Sequence, residues 1–116
     1  MGVGEVTSQR KTSTVRRAEI HEAMLAVAEA SDYRYMTREA VAAHVGVAAP
    51  LINAYVGGVE EMREHTVALA IRLGRLRVIA QAMAARHPAV QRLDFQTKLR
   101  AAREYLHLPT VGEWEV

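Results

Sequence analysis

Cysteine is absent from the 116 residues, so the chain can form neither a disulfide framework nor a thiolate metal site, and an intracellular protein is expected. No apolar run approaches the roughly 18 residues of a membrane span, and residues 1–9 lack the apolar core of a signal peptide. Phosphate-binding glycine loops and nucleophile elbows are also missing. The sequence therefore favours a cytoplasmic protein that is not an enzyme and does not contact a membrane.

Metal ligands are poorly placed in the sequence. The five histidines lie far apart and show no paired metal spacing. Glu61 and His65 share one helical face, but two groups alone do not make a metal site. We therefore predict no metal and no other cofactor.

Aromatic residues make up only 5% of the chain, whereas half of its residues are apolar. Alanine is abundant, and alanine and the straight-chain residues have the best helix propensity. We therefore predict an all-α fold. The length suits one domain with a modest core.

Charge is unevenly distributed along the chain, although its net value is only +2. Residues 1–17 contain four basic residues and one acidic residue, whereas residues 18–57 contain two basic and five acidic residues. Any attraction to nucleic acid is therefore expected to come mainly from the N-terminal segment.

The residue pattern divides the chain into four parts. Residues 1–14 are rich in Gly, Ser, Thr and basic residues without periodicity, which predicts a flexible basic arm. Residues 15–58 are predicted to form a helix-turn-helix DNA-binding module and residues 59–108 a helical dimerisation region. Residues 109–116 form a tail that contains Trp114.

Three helices are predicted in the module. Apolar residues recur with helical spacing from about residue 15 to residue 30. Thr37 is a suitable N-cap for a second helix over about 38–45, and Gly46 ends that helix because glycine adopts a positive φ without steric cost. A third helix over about 48–56 is ended by Gly57 and Gly58.

One long helix is predicted over about residues 59–86. Met62, Leu69, Leu76 and Met83 recur every seven residues, and such a stripe has to be buried against a partner surface. Pro88 suits the first turn of a further helix that extends to about residue 107. These two helices carry more apolar surface than one small domain easily covers, so we predict a symmetric homodimer.

Residues 38–57 have the spacing of a helix-turn-helix motif, in which two short helices meet at about a right angle. Ala42 is small enough to let the second helix approach, and Gly46 forms the turn. An ordinary helical hairpin with a glycine turn is the alternative. The inward-facing positions hold mostly apolar residues, namely Val41, Val45, Val47, Ile52 and Tyr55.

This stretch resembles the tetracycline-repressor (TetR) family of bacterial transcription regulators over about residues 16–66. The resemblance is carried by the segment 32–37, the Gly46-Val47 turn, the segment 55–57 and an acidic start of the next helix at 60–62. It implies a three-helix DNA-binding domain, dimerisation through C-terminal helices and a palindromic operator. Residues 59–116 are much fewer than the family's usual ligand-binding domain contains.

A recognition helix presents its outward face to base edges in the major groove. Asn53 is the one side chain on that face with hydrogen-bonding groups, and an asparagine amide pairs with adenine in a bidentate manner. Thr37 and Arg38 are placed to contact phosphate. The predicted DNA-binding residues are Arg10, Lys11, Arg16, Arg17, Tyr33, Thr37, Arg38, Ala48, Ala49, Pro50, Asn53 and Tyr55.

Two functions fit this sequence. The first is a transcriptional regulator that binds double-stranded DNA as a homodimer on an inverted-repeat operator, which accounts for the basic arm and the helix spacing. The second is a helix-turn-helix fold reused to bind and inhibit another regulator or an enzyme. The acidic middle segment and the sparse hydrogen-bonding groups on the recognition face favour this second function.

Overall fold

The first helix starts at a threonine cap. The computed structural model describes residues 12–106, and α1 runs over Ser13–Ala30. The Thr12 hydroxyl accepts a hydrogen bond from the Val15 amide at 3.1 Å, which satisfies one of the free amides of the first turn. The helix therefore starts two residues before the predicted boundary. Arg16 and Arg17 lie on this helix, while Arg10 and Lys11 lie outside the described residues.

The next two helices are short and nearly perpendicular. Helix α2 covers Arg38–Val45, as predicted, and α3 covers Ala49–Val56, one residue shorter than predicted. Gly46 has φ +88°, and the amides of Gly46 and Val47 both donate to the Ala42 carbonyl. This left-handed cap closes α2 and turns the chain sharply. The two helices are bent by 106° relative to each other.

The predicted long helix over residues 59–86 is wrong, because the chain breaks it in two. Helix α4 covers Val59–Leu73 and α5 covers Leu76–Ala84. Gly74 adopts φ +73°, and the amides of Gly74 and Arg75 donate to the Ala70 carbonyl, so a glycine cap of the same kind ends α4. Leu73, the last residue of α4, is 55% exposed at this corner.

The predicted C-terminal helix is also interrupted. Helix α6 is the short segment Pro88–Gln91, and α7 covers Phe95–Leu106. His87 caps α6, because its Nδ1 accepts a hydrogen bond from the Ala89 amide at 3.0 Å. Helix α7 begins after Asp94, whose carbonyl accepts from the Lys98 amide. Asp is a residue type favoured before a first helical turn.

One core connects these seven helices of residues 12–106, and the all-α prediction is confirmed. Met62 and Leu69 of the seven-residue stripe are buried, whereas Leu76 and Met83 are only partly buried against the core. The largest fully buried side chains come from six of the helices and one loop: Ile20, Met24, Leu25, Met36, Val41, Ile52, Met62, Thr66, Val67, Val78, Ile79 and Val90.

Polar contacts fix α5 to the end of α1. The Gln81 side chain is buried, where its Oε1 accepts from the Tyr33 amide at 2.9 Å and its Nε2 donates to the Ala28 carbonyl at 2.9 Å. Arg75 pairs with Glu29 at 2.8 Å and with Glu22 at 3.1 Å. The N-terminal helices are thus held on the same core as α5, and α5 in turn packs most extensively on α7.

Across residues 12–106, no single helix is long and apolar enough to cross a membrane. Helices α2 and α3 meet the length and composition criteria only when taken together as a bent pair. Val41, Ala42 and Ile52 of that pair are buried in the core.

Candidate nucleic-acid interface

One face of α3 is open to solvent. Ala48, Pro50, Asn53 and Ala54 are exposed, and Ala49 is half-buried. Ile52, on the opposite side, is the one fully buried residue of the helix. The predicted outward face of α3 is therefore outward in the structure, and it carries mostly small side chains.

Arg38 reaches from the start of α2 to the middle of α3. Its Nη1 donates a hydrogen bond to Asn53 Oδ1 at 2.9 Å. The pair joins two residues that the sequence assigned to different roles, one to phosphate and one to a base. Because the guanidinium is fixed beside the exposed amide, both groups present hydrogen-bond donors at one place on the surface.

A second arginine reaches the same helix from α1. Arg17 Nη1 donates to the Tyr55 carbonyl at 3.2 Å, and its guanidinium carbon lies 5.1 Å from the centre of the Tyr55 ring. A cation over an aromatic face is attracted by the ring quadrupole. Arg17 therefore holds its charge at the C-terminal end of α3, where the helix dipole also favours a cation.

The N-terminus of α2 is built as predicted around Thr37. The hydroxyl of Thr37 is exposed and accepts from the Ala40 amide at 3.1 Å. Arg63 of α4, which the sequence analysis did not single out, donates from Nε and Nη2 to the Met36 carbonyl at 3.1 and 3.0 Å. This contact fixes the loop that leads into α2. No local sequence pattern pairs residues so far apart in the chain.

Tyr33 does not belong to this surface. It is only 5% exposed, its ring lies edge-on to His87 with the centroids 6.4 Å apart, and burial raises the pKa of its phenol. The neighbouring Tyr35 is exposed and lies beneath the Arg34 guanidinium. The sequence placed Tyr33 beside the start of α2, but its side chain is used for packing.

Most acidic residues of the segment 18–57 are neutralised by arginines. Glu22 and Glu29 pair with Arg75, and Arg16 pairs with Glu19 at 3.4 Å. Asp32 pairs with Arg34 at 2.8 Å, and the hydrogen bonds from that guanidinium lower the pKa of the Asp32 carboxyl. Four of the five acidic residues of this segment are thus paired with arginines.

Two histidines meet on the outer side of α1 and α4. The ring centroids of His21 and His65 lie 4.8 Å apart, and the buried Nε2 of His21 has no hydrogen-bond partner among residues 12–106. Burial lowers the pKa of His21, and the positive charges of His65, Arg17 and Arg72 lower it further. Within residues 12–106, no group of three or more His, Cys, Asp or Glu side chains could hold a metal ion.

No family model, no curated protein and no solved structure matches the chain. The side chains around α3 form the candidate interface. Three helices contribute to that surface, because α1 supplies Arg17, α2 supplies Arg38 and α3 supplies Asn53.

Proposed function

We propose that the chain is a cytoplasmic, TetR-like helix-turn-helix protein that binds double-stranded DNA and regulates transcription. The observation that carries this proposal is that two arginines from other helices reach α3, Arg38 at its exposed face and Arg17 at its C-terminal end. A surface that offers arginines beside small side chains suits a polyanionic groove. The pairing of the acidic residues removes the main electrostatic argument against it.

The proposed docking follows from helix geometry. An angle of 106° between α2 and α3 lies in the range of helix-turn-helix motifs. With α3 in the major groove, Ala48, Ala49 and Ala54 let the backbone approach the base edges closely. Thr37 and the free amides at the start of α2 are then available to a phosphate of the flanking strand.

A second copy of the chain completes the proposed regulator, since a two-fold axis matches an inverted-repeat operator. The observation that supports a dimer is an open apolar groove of about 280 Å³ between α5 and α7. Phe95, Tyr105 and Leu106 are exposed on α7 as well. The groove is lined by Ala80, Met83, Ala84, Ala102, Tyr105 and Leu106.

Replacing Arg17 by alanine is expected to weaken binding to random duplex DNA and to flatten its salt dependence. Each phosphate contact that is lost should reduce the slope of log K against log salt by roughly 0.9. The measurement is a fluorescence titration of labelled random duplex at several salt concentrations. Arg92→Ala removes an exposed arginine just after α6 and serves as the matched control, with an expected slope equal to that of the wild type.

The same titration also tests the function itself. Failure of the wild-type chain to bind any duplex at low salt would exclude the DNA-binding proposal. The module would then be one that binds another protein, a function favoured by the alanine-rich face of α3. Equal slopes for wild type and Arg17→Ala would contradict only the role of Arg17.

Replacing Ala84 by glutamate is expected to convert a dimer into a monomer. Ala84 is exposed and lines the apolar groove, so a second copy docked there would have to bury the new charge without a partner. Light scattering at tens of micromolar, a concentration well above the roughly micromolar Kd of a moderate interface, reports the mass. Ala68→Glu on α4 is the control and should stay dimeric, and a monomeric wild type would rule out the dimer.

A further inference from the structure

The contact between Arg38 and Asn53 fixes the orientation of the asparagine amide. A guanidinium has hydrogen-bond donors only, so the Asn53 atom 2.9 Å from Arg38 Nη1 has to be the carbonyl oxygen Oδ1. The amide nitrogen Nδ2 then points away from Arg38, and it has no hydrogen-bond partner within residues 12–106. Asn53 is exposed, so that nitrogen is open to a ligand.

This orientation changes which base the pair suits. Bidentate pairing with adenine requires Oδ1 to accept from the adenine N6 amino group while Nδ2 donates to N7. Arg38 donates to one of the two lone pairs of Oδ1, so the free groups of the pair are mainly donors: Nδ2 of Asn53 and the remaining guanidinium N–H groups. Guanine is the base whose major-groove edge shows two acceptors, N7 and O6.

We infer that Arg38 and Asn53 act as one unit that reads guanine in the major groove. This inference rests on the proposed DNA-binding function and replaces the adenine contact expected from the sequence. Arg38 then determines specificity, whereas the sequence analysis assigned it to phosphate. The contact also holds two flexible side chains in place before DNA arrives, which lowers the ordering cost of binding.

The position of Arg38 supports this assignment. Its side chain is half-buried and spans from the first residue of α2 to the exposed face of α3. Its guanidinium is therefore directed toward the helix proposed to enter the groove. Thr37 and the amides at the start of α2 remain available for the phosphate backbone without Arg38.

Selection from a random-sequence duplex library tests the inference with three forms of the chain. The wild type should enrich guanine at one symmetry-related pair of positions. Arg38→Ala frees Oδ1 and should change the preference at those positions to adenine. A good bidentate contact discriminates by about 5- to 150-fold, so the change is large enough to read directly. Arg38→Lys retains a charged hydrogen-bond donor at this position and is expected to keep guanine.

The control is Arg17→Ala, which should weaken binding to all sequences without changing the preferred base. Circular dichroism checks that each variant is folded. If Arg38→Ala does not fold, the base preference of Arg38→Lys is compared with that of the wild type. Three outcomes would overturn the inference and leave the proposed function standing. They are adenine enrichment by the wild type, an unchanged guanine preference in Arg38→Ala, and an adenine preference in Arg38→Lys. Absence of binding to any duplex by the wild type would overturn both.

Discussion

Replacing Gln81 by leucine is expected to lower the free energy of unfolding by roughly 2–4 kcal/mol, since a buried unsatisfied amide costs about 1–3 kcal/mol and a lost hydrogen bond about 1 kcal/mol. The Tyr33 amide would lose the Gln81 Oε1 that it donates to. The Ala28 carbonyl would lose one of its two donors and keep the Ser31 amide. Urea denaturation followed by far-ultraviolet circular dichroism measures the change.

Two further variants separate the contributions of Gln81. Gln81→Glu keeps an acceptor for the Tyr33 amide but loses the donor to the Ala28 carbonyl and buries a charge, so its destabilisation should decrease as the pH falls and the carboxyl is protonated. Gln91→Leu replaces an exposed glutamine on α6 and should change stability by less than about 0.5 kcal/mol. A Gln81→Leu variant as stable as Gln91→Leu would show that the Tyr33 amide does not depend on this side chain.

Gln81 illustrates what the sequence did not reveal. It stands between Ala80 and Ala82 within a helical pattern, where a polar residue is ordinarily read as solvent-exposed. Its partners lie 48 and 53 residues away and are backbone groups, which carry no signature of their own. The same holds for Arg63, which binds the Met36 carbonyl from 27 residues away.

Helix boundaries were predicted well where a local residue determines them. Thr37 and Gly46 act through their own side chain and backbone conformation, so α2 has the expected bounds. Gly74 ends α4 in the same way as Gly46 ends α2, but the seven-residue repeat continues past it to Leu76. Periodicity alone cannot tell a continuous helix from two helices that bury successive parts of one stripe.

The candidate site was predicted in outline and not in its contacts. The outward face of α3 followed from the position of Ile52 in the motif, and the structure places Asn53 and Pro50 in solvent as expected. The link from Arg38 to Asn53 depends on the angle between α2 and α3 and could not be read from spacing. The burial of Tyr33 likewise depends on α5 and the His87 loop packing against it.

Replacing Ile52 by alanine is expected to cost roughly 2–5 kcal/mol of stability, the usual range for truncating a fully buried isoleucine, because a cavity remains in the core. Ile52 has no solvent exposure and is the one fully buried residue of α3. Leu73→Ala is the matched control, since its side chain is 55% exposed and its loss leaves no cavity. Urea denaturation of the two variants compares them, and similar losses would contradict the assigned burial.

The Ile52→Ala substitution also tests whether DNA recognition depends on how firmly α3 is held, because it leaves the exposed side chains of α3 unchanged. Ile52 contacts the core and not the proposed DNA surface, so every group on that surface remains present in Ile52→Ala. Discrimination between the preferred sequence and random duplex should nevertheless fall, because base contacts require a fixed helix whereas phosphate attraction tolerates small shifts. Titrations at a temperature where the variant stays folded measure both affinities. Equal weakening on both duplexes would mean that α3 is held by Arg17 and Arg38 rather than by Ile52.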